Sequence, residues 1–219
     1  MKSVLIRTLA VAGVLVLASA AHAAFMTSYG TPIIDDPDND NLDDVNNYHE
    51  ITEVYFGQDA ANYYFRIDVL TAPAGTQITY DEYAIYIDAD NDNTTGADGT
   101  GQDYMPDSYS GIEYILDLHW LNAGGNWDAD HFHTNTAGNL FDTNTTALTV
   151  QTSENGGRSI ELAIPKTYLP LGPWTVYAAT QQAQGGATSD TTVGVQVPEP
   201  ATVALVGLGL AGLFARRRR

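Results

Sequence analysis

The sequence predicts an all-β domain, an antiparallel two-sheet β-sandwich of jelly-roll or immunoglobulin-like type, with an N-terminal signal peptide and a C-terminal single transmembrane sorting helix. Three observations carry that prediction. From Glu50 onward apolar residues alternate with polar ones at period two rather than 3.6. Clusters of Gly and Pro recur between the alternating runs. The long unbroken apolar stretches lie at the two ends of the chain, where targeting segments are found.

The first element is the leader. Lys2 and Arg7 precede the apolar segment from Leu9 to Leu17, and the small residues Ala18 to Ala24 follow, with Ala21-His22-Ala23 as a cleavage site. Residues 1–23 therefore read as a secretory signal peptide cut before Ala24, the h-region being short for an uncleaved anchor. Residues 24–49 read as an acidic loop leading into the domain. Asp36, Asp38 and Asp40 stand at i, i+2 and i+4, with Asp43 and Asp44 behind them. In a loop this spacing folds carboxylates around one hard cation, because calcium takes six to eight oxygens. The segment is similar to the Asp-x-Asp-x-Asp loops of EF-hands, dockerins and thrombospondin type 3 repeats. Asn41 replaces the Gly, and Asn47 the terminal Glu, of an EF-hand loop, so a helix-loop-helix is not expected; Asp44 remains a candidate ligand.

Residues 50–196 carry the strands. Tyr63, Phe65, Ile67 and Val69 alternate with Asn62, Tyr64, Arg66 and Asp68, and the same alternation runs through Tyr83, Ile85 and Ile87. It continues through Ile112, Tyr114, Leu116, Leu118 and Trp120, then Ile160, Leu162 and Ile164, then Trp174, Val176 and Ala178. Pro73-Ala74-Gly75, Gly96 to Gly101, Gly124-Gly125 and Gly156-Gly157 separate these runs, giving about nine strands. A short helix or turn is expected at Lys166 to Leu169, after Pro165. The last element begins at Val197-Pro198-Glu199-Pro200, continues as the apolar run Ala201 to Ala215, and ends in Arg216, Arg217, Arg218 and Arg219.

That order of features, over residues 197–219, resembles the PEP-CTERM sorting signal of Gram-negative bacteria. The resemblance implies an exosortase as processing partner, transient retention in the inner membrane through 201–215, and transfer to the cell surface or extracellular matrix. The Arg cluster suits the cytoplasmic side. Hydropathy alone is also met by a permanent single-span anchor.

Charge and composition narrow the function. The whole chain has a formal charge of −18. Without both addresses only Arg66, Arg158 and Lys166 remain as basic residues, while Glu199 alone is lost from the acids, so segment 24–197 stands at −23. Such a surface excludes general nucleic-acid binding. It also repels itself, which bound divalent cations would relieve. With no cysteine there is no disulfide framework, thiolate metal site, covalently attached haem or cysteine nucleophile.

A second acidic cluster, Asp88, Asp90 and Asp92 with Asn91 and Asn93, ends a strong strand, and Asp98 and Asp103 lie in the same long loop. The run Ile51 to Asp59, then Asn62 to Val69, Tyr83 to Gly96 with its Asp-Ala-Asp-Asn-Asp-Asn-Thr-Thr-Gly turn, Gly111 to Leu118, and Ser159-Ile-Glu-Leu-Ala-Ile-Pro165 with Tyr168-Leu169, resembles family 9 carbohydrate-binding modules and related DOMON-type sandwiches. The resemblance implies a non-catalytic sandwich that binds structural Ca²⁺ and, in some members, a sugar. Solvated acidic turns would give both clusters the same composition.

Sugar binding needs exposed flat aromatics. Trp127 and Trp120, beside a Gly124-Gly125 tip, and Tyr104 and Tyr109, in a loop rich in Asp, Ser and Gly, are the candidates; Trp174 is in phase with the core. His131 and His133 share one side of a strand, and pairing Asn122 with Trp127 puts His119 on the opposite face, so a zinc or copper site lacks a third ligand and surface histidines are expected. No nucleophile motif is present and the acids cluster in turns, so no enzyme is expected. Two readings follow. One is a calcium-bound, carbohydrate-binding module on the cell surface or in exopolysaccharide. The other is a calcium-stabilised structural or adhesive protein of a biofilm matrix, without sugar binding.

Overall fold

The computed structural model describes residues 25–26, 29–36, 49–72, 81–100, 105–121, 126–152, 157–182 and 188–197, with backbone alone at 81, 119–121, 126–130, 182 and 188–189. The signal peptide, Asp38, Asp40, Asp44, Tyr104 and the sorting segment from Pro198 through Glu199 and Pro200 to Arg219 lie outside them.

Strand β1 (Ile34–Asp35) pairs with β2 (Ile51–Gln58), which pairs with β3 (Asn62–Val69). The turn between β2 and β3 is closed by Asp59, whose Oδ1 accepts the amides of Ala61 and Asn62 at 2.7 Å each, an Asp side chain standing in for a backbone turn. Strand β3 continues to β11 (Ser159–Pro165) and that to β10 (Thr149–Gln151), completing a five-stranded antiparallel sheet. The second sheet is also antiparallel and runs from β13 (Thr188–Thr191) through β12 (Trp174–Gln182), β4 (Asp81–Asp88), β7 (Tyr114–Leu121) and β8 (Asn126–Ala137) to β9 (Leu140–Asn144). Strand β14 (Val195–Val197) also pairs with β12. A small ribbon of β5 (Ala97–Asp98) and β6 (Ser110–Ile112) stands apart.

The two large sheets share one core. Phe65, Ile67, Leu162 and Ile164 from the first pack with Ile85, Ile87, Leu116, Leu118 and Val176 from the second, all essentially sealed from water. Trp174 closes one end, its ring edge-on to Tyr63 with centroids 4.7 Å apart, a preferred aromatic geometry. The alternation read from sequence therefore points the expected residues inward, and the architecture is a β-sandwich.

The outward faces are less open than alternation suggests. Tyr64 and Asp68 of β3 are buried. Phe25 packs against Tyr64, and Tyr29 against Tyr55, with the Arg66 guanidinium over both Tyr29 and Tyr55. On the other sheet residues 105–112 lie over the outer face, so Ala84, Tyr86 and Ile115 form a second apolar cluster with Met105, Tyr109 and Ile112.

Three expectations need correction. The run from Ile112 to Trp120 is not one strand: Gly111 adopts φ +77 and Glu113 interrupts the pairing, so Ile112 packs outside while Leu116 packs inside. The sandwich does not wait until residue 50, because Ile34 is buried in the core within the segment expected to be only a loop. The described residues hold fourteen strands rather than about nine, since β1, β5, β6, β10, β13 and β14 are too short to carry a period-two signal. Lys166 to Leu169 form a turn, with the Tyr168 amide on the Pro165 carbonyl at 3.0 Å. No helix long and apolar enough to cross a membrane occurs among the described residues; the expected span lies outside them.

Candidate metal centre

The centre of interest forms where β4 leaves the core. Ile87 is the last inward residue of that strand, and Asp88 begins a loop whose backbone turns at Asn91, a non-glycine residue at φ 57, and at Gly96, at φ 65. Asn is among the few residues that tolerate this left-handed conformation. Its side chain anchors the loop to the next strand: Nδ2 donates to the Pro173 carbonyl at 2.9 Å, and Oδ1 accepts from Thr175 Oγ1 at 2.7 Å. Glu113 reaches the same loop from the joint between β6 and β7. Its amide donates to the Ile87 carbonyl, and its Oε2 accepts the amide of Ala89 at 2.7 Å.

This places carboxylate oxygens of Asp88, Asp90 and Glu113 all within 4.8 Å of one another. Asp88 is only 4% exposed, and its Oδ1 has no hydrogen-bond partner. Burial pushes the Asp88 carboxyl above its ordinary range, with the Asp90 charge adding to it. Burial raises Glu113 as well, again helped by Asp90 and Asp88. Thr95 Oγ1 lies 3.0–3.3 Å from both oxygens of Asp90, the Asp92 carbonyl and Glu113 Oε1. One hydroxyl proton serves one of those four acceptors. The loop therefore gathers more oxygen lone pairs than it has protons for, which is the donor set of a hard cation such as calcium.

The structure brings part of the sequence-derived set together. Asp88 and Asp90 come together as the spacing suggests. Asp92 does not join them: it is exposed, and its Oδ1 accepts the hydroxyl and amide of Thr94 at 2.6 and 3.0 Å, bonds that hold its carboxyl below the usual range. Asp98 is likewise turned to its own loop, accepting from the amide and hydroxyl of Thr100. Glu113 takes the place expected of Asp92, and its separation along the chain hid it from a spacing argument. Of the first acidic cluster only Asp36 is described, its amide extending the β1–β2 pairing to the Thr52 carbonyl at 2.9 Å. Asp190 lies near it, buried, accepting the Ile51 amide on Oδ2 at 2.6 Å. Its carboxyl is pushed up to about 7 by burial, with Glu50 and Asp36 contributing.

The aromatic candidates divide differently. Tyr109 is 3% exposed and donates its hydroxyl to the Ala178 carbonyl at 2.6 Å, so it belongs to the cover over the sheet and its ring is closed to a sugar. Trp174 is core, as its phase predicts. Trp120 and Trp127 stand directly opposite each other where β7 and β8 end. A register shift between Leu118 and Trp120 replaces the expected Asn122–Trp127 pairing. The histidine reading also changes, because Asp117 lies directly across from His131 and close to His133.

Residues 196–219 match the family model of the PEP-CTERM protein-sorting motif. The match supports an exported protein that an exosortase processes, with export across the inner membrane and a surface or extracellular destination. No curated protein and no solved structure gives a significant match to the chain. The likeness to carbohydrate-binding modules thus rests on the sequence segments alone.

Proposed function

We propose that the chain is an exosortase-sorted, non-catalytic β-sandwich of the cell surface or extracellular matrix that binds Ca²⁺ through Asp88, Asp90 and Glu113. The observation that supports it most is Asp88, buried with an unpartnered Oδ1 inside a group of three mutually repelling carboxylates. A divalent cation satisfies that oxygen and reverses the repulsion. The high negative charge of the exported segment gives the ion a further role in offsetting self-repulsion. Calorimetric titration of the purified chain with calcium tests the proposal. Saturable binding that is lost in Glu113→Gln supports it, and a heat signal no different from buffer refutes it.

A second reading adds carbohydrate. The direct pairing of Trp120 with Trp127 favours it, since two residues on facing positions of adjacent strands belong to the same side of the sheet. A glycan array probed with the calcium-loaded protein decides between this lectin-like role and a purely structural one. The sugar reading expects hits that Trp127→Ala abolishes while the fold persists.

A further inference from the structure

The outer face of the seven-stranded sheet carries a second constellation, chemically unlike the acidic loop. Leu116, Leu118 and Phe132 point into the core, so by the alternation of strands Asp117, His131 and His133 project from the opposite face. The pairing of β7 with β8 sets Asp117 directly opposite His131, and His133 lies two pairs further along, opposite Ile115. Each imidazole approaches its own oxygen of the one buried carboxylate: His131 Nδ1 is 3.5 Å from Asp117 Oδ1, and His133 Nε2 is 2.9 Å from Oδ2.

We propose that Asp117, His131 and His133 form a mononuclear site for a divalent first-row transition metal, with Zn²⁺ as the reference ion, whose remaining coordination positions open onto the adjoining cavity. The donor atoms lie within 4.8 Å of one another. Tetrahedral zinc, with bonds of about 2.0–2.2 Å, needs neighbouring donors about 3.4 Å apart, so a small rotamer adjustment closes the set. Two imidazole nitrogens and one carboxylate are the donors that select such a metal over calcium, which prefers oxygen.

Two further observations fit a metal better than a plain ion pair. Thr143 stands directly across from His133 on β9, and its Oγ1 is 3.0 Å from His133 Nδ1. Holding the remote nitrogen in this way leaves Nε2 toward the centre, the outer support that metal-bound imidazoles use. Beside the site is a cavity of about 300 Å³ lined by Glu82, Ile115, Asp117, His133, Asn139, Leu140 and Phe141, so two of the three ligands border it. Asn139 fixes its rim by accepting the Asp98 amide at 2.8 Å, tying the β8–β9 turn to the ribbon cover. Three protein ligands beside an accessible cavity leave room for water or a small molecule on the metal, unlike the closed shell of a structural zinc site. The ligand class suggested is a small molecule with an oxygen donor at one end and an apolar body, the latter matched by Ile115, Leu140 and Phe141.

Zn²⁺ titration of the purified full-length chain in millimolar calcium tests this, with Co²⁺ as a spectroscopic probe. The expected result is one ion per chain at micromolar affinity or tighter, with d–d absorption from bound Co²⁺. Both signals should fall at least tenfold in affinity for Asp117→Asn and for the half-buried His131→Ala, while His119→Ala leaves them intact. Calcium-dependent melting monitors the fold of each variant. Absence of zinc binding by the unmodified chain overturns the proposal whatever the variants do. So does binding that survives His131→Ala, or that is lost in His119→Ala.

Discussion

Glu113 sits where two strands fail to join, and that interruption sets it beside the Asp88 loop. Its backbone serves both neighbours, donating to Ile87 and accepting from Asn135, while its carboxylate faces the Asp88 loop. Glu113→Gln should keep those backbone bonds and remove one charge, so the melting temperature without calcium should hold or rise while its increase with calcium largely disappears. Thermal melts with and without chelator check this; at tenfold excess over the dissociation constant the lost stabilisation is about 1.4 kcal/mol. Asp190 supplies a pH dependence of opposite sense to ordinary acid denaturation. Its folded-state value of about 7 stands above the ordinary 3.8. Between those limits the native state holds the extra proton, and this group makes stability fall as pH rises, by about 1.4 kcal/mol per unit at most. Asp190→Asn should flatten that part of a stability-against-pH curve measured in urea. Asp88 and Asp90 were legible from their spacing, whereas Glu113 was not, because its proximity depends on strand pairing. Asp92 stands apart from them for a local reason, the competing bonds to Thr94.

At the scale of elements, the longer strands were legible because each presents one face to a shared core. The short ones were not, and they account for most of the architecture that sequence alone missed: the ribbon over the second sheet, the early β1, and β14. The loop between β4 and β5 shows how an element is held without a core of its own. Asn91 combines an αL backbone with side-chain bonds to Pro173 and Thr175. Asn91→Ala should cost about 1–2 kcal/mol from the backbone alone, plus about 1 kcal/mol for the lost bonds. Asn91→Gly should incur the second cost with little of the first. Chemical unfolding of the two variants separates these contributions, and equal loss in both would argue against backbone strain as a component.

For the whole molecule, a two-sheet sandwich was readable from alternation, while the covering of its outer faces was not. Tyr64, Asp68 and Tyr86 look like solvent-facing partners in the pattern and are buried by segments distant in sequence. The same distance effect hid the convergence of Asp117 with His131 and His133. The formal charge of −23 on segment 24–197 has a measurable consequence. Without calcium, monovalent salt should raise the melting temperature by screening repulsion; with calcium bound, the same salt should do markedly less. Equal salt responses in the two states would remove charge relief from the role assigned to the ion.

Strand β14 gives the molecule a top and a bottom. Val197 is buried opposite Trp174, beside the Thr175–Asp88 pair, and lies within the first residues of the sorting-motif match. Three residues from Val197 to Pro200 span about 10 Å at most, so the Pro-Glu-Pro motif starts close to the end of the sandwich that carries Asp88. A chain held by its tail would carry the acidic-loop end nearest the point of attachment. The Leu121–Asn126 pair, next to Trp120 and Trp127, stands at the other end of the sheet, separated from Asp88 by the length of the eight-residue β4, about 27 Å. On a chain so held, the strand ends at Trp120 and Trp127 would stand farthest from the attachment.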